Sequence, residues 1–172
     1  MKKLETDLIH VGYNPEVATG AVSMPIILST TFERAADGSF MEGRDIYSRS
    51  SNPNRRALEE KLTLLENGTD AMAFSSGQAA TMSIMHSLQS GDHVLLPDDI
   101  YYGTKVMLQN LYHRFGLEYN TIDMTDVALV YNSIKSNTKL IWIETPSNPS
   151  LKITDLQAIA AIAKEKNIVT AC

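Results

Sequence analysis

The 172-residue sequence predicts an α/β fold: a mostly parallel sheet with helices on both faces, behind an extended N-terminal arm. Three observations carry this expectation. Short apolar runs alternate with helical stretches of about ten residues or more, which implies crossover units and hence parallel strands. The run Leu140-Ile141-Trp142-Ile143 is apolar at every position, as a strand covered on both faces should be. Residues 1 to 56 hold Pro15, Pro25 and Pro53 and show little sustained periodicity, so they read as an irregular arm with short elements.

In chain order, the arm (1–56) comes first. A long irregular segment needs a surface to lie against, and a neighbouring subunit is expected to supply it. The sheet domain (57–172) follows. Leu58, Leu62 and Leu65 recur at helical spacing over Arg56–Glu66, and Asn67-Gly68 stops that helix. Ala71–Phe74 reads as a strand, Gln78–Gln89 as a helix and His93–Leu96 as a strand. Tyr102–Phe115 is an amphipathic helix with Gly116 behind it, Glu118–Ile122 a strand, and Asp126–Ser136 a helix. After Leu140–Ile143 come the helix Asp155–Lys166 and a final strand, Ile168–Ala171, read as buried. The chain stops where the next loop is due. Open parallel sheets hold ligands at the carboxyl ends of their strands, so a chain cut there is expected to lack part of its own site, as a fragment or truncated chain would.

Composition excludes several classes. The net charge is −5, from 15 basic and 20 acidic residues with no basic cluster, so there is no footprint for nucleic acid. No apolar run approaches the length of a membrane span, and the basic start Met1-Lys2-Lys3 lacks the apolar core of a secretory signal. The cytoplasm is the expected location. Cys172 is the only cysteine, so no internal disulfide can form; it reads as a small residue closing the last strand. No metal site is expected.

Four segments carry candidate chemistry, each with a plain structural alternative. Phe74-Ser75-Ser76-Gly77-Gln78-Ala79-Ala80 is a small Gly-containing turn entering a helix. Such a turn presents backbone N–H groups and the positive end of the helix dipole to an anion; it also reads as an ordinary helix start capped by Ser75 or Ser76. In Tyr47-Ser48-Arg49-Ser50-Ser51-Asn52-Pro53, an arginine fork and a nearby tyrosine hydroxyl suit a phosphate, or the segment is a solvated Asn-Pro turn. Asp98–Thr104 places Tyr101 at a strand-to-helix junction, where it can stack on a planar ring or pack on the sheet's end. Glu144-Thr145-Pro146-Ser147-Asn148-Pro149 follows a buried strand, where Asn148 can bond a ligand oxygen, or the two prolines shape a turn. Together, at the ends of successive strands, these suit a flat, phosphorylated aromatic.

In order and spacing these segments, with Gly20–Ile26 and Ser29–Phe32 of the arm, resemble the Cys/Met metabolism pyridoxal-phosphate (PLP) enzymes over essentially the whole chain. The resemblance implies the large domain of the aspartate aminotransferase-like PLP-dependent transferases, here incomplete at its C-terminus. It implies that Gly77 and Gln78 give backbone N–H groups to the PLP phosphate, that Tyr101 stacks on the pyridine ring and helps position substrate, and that Asn148 bonds the ring hydroxyl oxygen. It also implies that Tyr47 and Arg49 reach the phosphate of a neighbouring subunit, within homotetramers built from dimers that share sites. The family includes cystathionine gamma-synthase, gamma-lyase and beta-lyase, methionine gamma-lyase and O-acetylhomoserine sulfhydrylase; the Glu144–Pro149 segment leans toward the first two.

Two substitutions depart from the family pattern. Tyr102 stands where the family has glycine, and is strained if that position needs positive φ. Gln78 replaces a frequent methionine, which a backbone contact tolerates. The family's aspartate that pairs with the ring nitrogen follows the strand ending at Cys172, and its Schiff-base lysine comes later; neither is in the chain. Lys105 is expected to face solvent from within a helix. The implied function is PLP-dependent making or breaking of C–S bonds in small amino-acid substrates, with this chain alone inactive. A non-catalytic fragment that binds phosphate-bearing ligands or partner subunits, and an unrelated nucleotide-binding sheet protein, are the alternatives.

Overall fold

The computed structural model describes residues 3–172. The chain divides into two compact units, Met1–Phe74 and Ser75–Cys172. The helix that begins at Pro53 lies in the first of these units.

The first unit holds α1 (Leu4–His10) and α2 (Pro53–Leu65). Asn52 caps α2 by accepting the Asn54 N–H at 2.9 Å, and Pro53 occupies the first turn, where a missing N–H costs nothing. Asn54 then ties the arm to the helix: its side chain accepts the Ile27 N–H and donates to the Pro25 carbonyl, both at 2.8 Å. Thr31 and Tyr47 form an isolated antiparallel bridge. Much of the arm is exposed, with Val22, Ile26 and Leu28 each more than 80% accessible. The turn after α1 comes very close to α2. Gly12 has φ +82°, and a Cβ there would lie 2.6 Å from the Ala57 carbonyl oxygen.

Ala71–Phe74 is not a strand, contrary to the expectation from its apolar run. Apolar character favours a strand, but a strand exists only when its backbone pairs. Here side chains take the backbone donors: the Ala71 N–H goes to Asp70 at 2.8 Å and the Ala73 N–H to Glu59 at 2.9 Å.

The second unit runs α3 (Gly77–Met85), β1 (His93–Pro97), α4 (Tyr102–Asn110), β2 (Glu118–Ile122), α5 (Val127–Ser133), β3 (Thr138–Trp142), α6 (Leu156–Lys166) and β4 (Val169–Ala171). The expected helix Tyr102–Phe115 breaks after Asn110 into a 3-10 turn, Tyr112–Phe115. The four strands are all parallel, in the order β2-β1-β3-β4. Successive side chains of a strand point to opposite faces, and both faces are apolar here. Val94, Leu96 and Leu140 pack with Met85, Leu108 and Tyr112 on one side. Leu95, Ile141 and Ile143 pack with Val130, Ile159 and Ala163 on the other. The sheet is therefore covered by α3 and α4 on one face and α5 and α6 on the other.

β4 departs from the expected buried strand. It pairs with β3 alone, Val169 is 65% accessible, and Cys172 is exposed instead of closing a core. Among the described residues, no helix is long and apolar enough to cross a membrane.

One buried polar group joins three strands. His93 has no accessible surface, and its Nδ1 lies 2.8 Å from Thr138 Oγ1 and its Nε2 3.0 Å from Asn120 Oδ1. The Asn120 oxygen can only accept, so Nε2 carries the proton and Nδ1 accepts from the Thr138 hydroxyl. That hydroxyl oxygen accepts in turn from the Lys135 N–H at 2.8 Å. The neutral ring thus satisfies every partner.

Two outcomes follow from this packing. Gly12→Ala is expected to destabilise the chain by more than about 1 kcal/mol, read as a lower urea midpoint; an unchanged midpoint contradicts the close approach. Burial, first, and the Lys135 charge hold the His93 pKa below its ordinary 6.5. The unfolded chain therefore binds more protons than the folded one below that value. The His93 contribution is present above pH 6.5 and lost as pH falls through the depressed folded value. Urea midpoints measured against pH should fall over this range in the wild type and more shallowly in His93→Gln; parallel profiles would refute the assignment.

Candidate functional site

The topology decides where a site can form. From β1 the chain moves outward to β2, then returns to place β3 on the other side of β1. Loops leaving β1 and β3 therefore diverge, and their carboxyl ends open a crevice at the switch point. Tyr101 leaves β1, and Glu144 and Asn148 leave β3.

The α3 N-terminus stands beside them. Ser76 is its N-cap, in extended conformation, accepting the Ala79 N–H at 3.1 Å. The plain capping alternative therefore holds, and it leaves the first two donors of the helix spare. Among the described residues no acceptor takes the N–H of Gly77 or Gln78. A Cβ built on Gly77 meets nothing within 4 Å, so the space beside these donors is open to a ligand. A cavity of about 450 Å³ lies here, lined by Gly77, Gln78, Tyr101, Thr104, Trp142 and Glu144 among others.

Tyr101 precedes α4 and is half-exposed. Its ring leans over Gly103: a Cβ at Gly103 would fall 2.6 Å from Tyr101 Cε1 and 3.3 Å from the Gln78 amide. The position in Tyr101-Tyr102-Gly103-Thr104 that has no room for a side chain is thus Gly103. Tyr102 begins α4, is not among the positive-φ residues and points to solvent, so the condition for strain there is not met. The Gln78 side chain also donates to Thr104 Oγ1 at 3.3 Å, a contact the sequence did not suggest.

Asn148 is exposed, and its backbone N–H donates to Glu144 Oε1 at 3.1 Å. The other carboxylate oxygen, Oε2, accepts the Tyr101 N–H at 3.0 Å. Glu144 was legible only as part of a segment. Its position directly after an apolar strand was the available signal. The loops are joined further by Ser147, buried and donating to Asp99, and by Lys152, whose Nζ lies 3.0 Å from Asp98 and 3.3 Å from Asp123. Those carboxylates and the ammonium support one another: hydrogen bonds from Thr125, with Lys152 adding, hold Asp123 below its ordinary pKa, and the bond to Asp98, with Asp123 adding, raises that of Lys152. Lys105 is half-buried on α4, and no lysine is among the described residues that line the cavity.

Tyr47 and Arg49 lie in the Met1–Phe74 unit, where they stand together. The Arg49 guanidinium sits 4.8 Å from the centroid of the Tyr47 ring. Among the described residues Arg49 makes no ion pair, whereas neighbouring Arg55 is committed to the Ser48 and Ser50 carbonyls and to Glu59. Arg49 and Arg55 share the lining of a cavity of about 300 Å³. Among the described residues there is no group of His, Cys, Asp and Glu suited to a metal ion.

Comparison with known proteins gives a consistent result. The family model described as Cys/Met metabolism PLP-dependent enzyme matches residues 5–172. The chain is 47% identical to a cystathionine beta-lyase of Bacillus subtilis, over 97% of this chain and 42% of that one. It is 41% identical to a cystathionine gamma-synthase of Mycobacterium leprae, over 96% of this chain and 42% of that one. A cystathionine gamma-lyase structure from Lactobacillus plantarum, complexed with L-serine, superposes with a TM-score of 0.90 at 37% identity, over 98% of this chain and 44% of that one. The chain thus spans less than half the length of these relatives, which are named for different activities. The chain belongs to the Cys/Met metabolism PLP-dependent enzymes.

Proposed function

We propose that this chain is the front part of a PLP-dependent enzyme that makes or breaks C–S bonds in sulfur amino acids, similar to cystathionine gamma-synthase or gamma-lyase. The observation that carries the reading is the pair of unclaimed N–H groups at Gly77 and Gln78, facing open space at a helix N-terminus, beside a half-exposed tyrosine. A phosphate fits the donors and a flat aromatic fits the tyrosine. PLP, when bound, supplies an electron sink for charge developing at the substrate's α carbon.

The chain's own residues bind and orient. Gly77 and Gln78 donate to the phosphate. Tyr101 covers the ring from one side and narrows the approach of substrate, and Asn148 donates to the ring hydroxyl oxygen. Gly103 gives the Tyr101 ring its room. Tyr47 and Arg49 serve the phosphate of a neighbouring subunit, for which the unpaired guanidinium is suited. The exposed apolar arm supports the same reading, since Val22, Ile26 and Leu28 lack cover in a single chain. The chain spans less than half the length of its relatives, and the lysine that holds the cofactor and the aspartate for the ring nitrogen are assigned to the remainder of the full-length enzyme. On this reading the 172-residue chain by itself is inactive, and the full-length enzyme is a cytoplasmic tetramer.

Four measurements test the proposal. The full-length gene product should bind PLP with a visible absorption band and act on cystathionine or a related thioether amino acid. Gly77→Val should weaken PLP binding roughly 10- to 100-fold, the loss expected for charge-assisted hydrogen bonds; unchanged affinity refutes the cradle. Arg49→Met and Gly77→Val chains, each impaired alone, should regain activity when co-expressed, because mixed dimers contain one site with both residues intact. Absence of any rescue rejects site sharing. Borohydride treatment of the 172-residue chain with PLP should leave no stoichiometric lysine adduct by mass spectrometry.

A further inference from the structure

Among the described residues, Glu144 is the one side chain that hydrogen-bonds to both residues assigned to the cofactor ring. Its Oε2 accepts the Tyr101 N–H at 3.0 Å and its Oε1 accepts the Asn148 N–H at 3.1 Å. These residues come from different loops, one leaving β1 and the other leaving β3. A carboxylate is planar and rigid, so two N–H groups bound to its two oxygens are held at a set separation and angle. Glu144 also lines the cavity beside Gly77, Gln78 and Tyr101.

The same two loops are joined by other means that do not pass through Glu144. Ser147 is 1% accessible and donates to Asp99; its Oγ accepts the Lys152 N–H at 2.9 Å and its N–H donates to the Lys152 carbonyl at 3.0 Å. The loops therefore stay together without the Glu144 carboxylate. What Glu144 adds is local: it fixes the backbone on which the Tyr101 ring and the Asn148 amide are mounted.

We infer that Glu144 is a positioning residue that sets the Tyr101 ring and the Asn148 amide against each other, so that a flat cofactor is gripped at a defined angle. The inference rests on the PLP reading above. It gives Glu144 no contact with the reacting atoms.

The test uses the full-length enzyme with PLP and two variants. Glu144→Ala removes both acceptors, and Glu144→Gln keeps one, because its amide nitrogen cannot accept. Two readouts are taken well below the melting temperature: the PLP dissociation constant, and the visible circular dichroism of bound PLP, which reports ring orientation. Glu144→Ala should raise the dissociation constant about tenfold, the loss expected from one or two such bonds, and cut the visible signal to less than half. Glu144→Gln should fall between it and the wild type. A purely structural role would lower the melting temperature while leaving the visible signal of the folded enzyme at its wild-type value, and that outcome overturns the inference. If Glu144→Ala does not fold, the Gln variant decides alone: a wild-type signal and affinity overturn it. If the wild type binds no PLP, the functional reading itself falls and takes this inference with it, whereas normal wild-type binding with unaffected variants removes only the role of Glu144.

Discussion

Parallel strands can be joined only by a crossover that passes over the sheet, and this constraint organises the Ser75–Cys172 unit. Each crossover must bury a helix on one face, so β1 and β3 carry apolar side chains on both faces, with Val94 and Leu140 turned one way and Leu95 and Ile141 the other. Each crossover also starts from the same end of the sheet. The loops after β1, β2 and β3 are thereby gathered at one edge, and the order β2-β1-β3-β4 makes two of them diverge. The crevice is a result of connectivity before any functional side chain is considered.

Within that crevice, the local interactions fix the backbone while leaving some groups without a partner. Ser76 satisfies the third donor of α3 and leaves the first two unclaimed. Gly103 lets the Tyr101 ring lie close above it while Tyr101 keeps a half-exposed face. Glu144 consumes two backbone donors and in doing so holds the residues that carry them. At the opposite, amino end of the sheet, His93 does a different job: its buried ring uses both nitrogens to join β1 to Thr138 on β3 and to the exposed Asn120 on β2. One end of the sheet ties its strands together through a buried histidine, and the other leaves the first donors of α3 without an acceptor among the described residues.

The sheet elements were legible because their side chains repeat with the period of the structure they form. Glu118–Ile122 is legible with its bounds intact, and Leu140–Trp142 of the apolar Leu140–Ile143 run lie on a strand paired on both sides. Ala71–Phe74 and Ile168–Cys172 were equally apolar, yet the first is irregular and the second is an exposed edge. Burial depends on neighbours that a local pattern does not specify. The same limit explains the site. Gly77, Gln78 and Tyr101 could be picked out because a Gly turn entering a helix and an aromatic at a strand end carry recognisable chemistry. Glu144 could not, since its importance lies in contacts with Tyr101, 43 positions earlier, and Asn148, four later. Tyr102 looked like a liability only because sequence does not reveal which of two adjacent positions is crowded.

The central claim is that the N-terminus of α3 and the loops after β1 and β3 form one half of a PLP site. A crystal structure of the full-length gene product with PLP tests it most directly. The account predicts the phosphate within hydrogen-bond distance of the Gly77 and Gln78 N–H groups, with the ring against Tyr101 and its hydroxyl oxygen at Asn148. A phosphate held elsewhere, with those two N–H groups facing solvent, contradicts it.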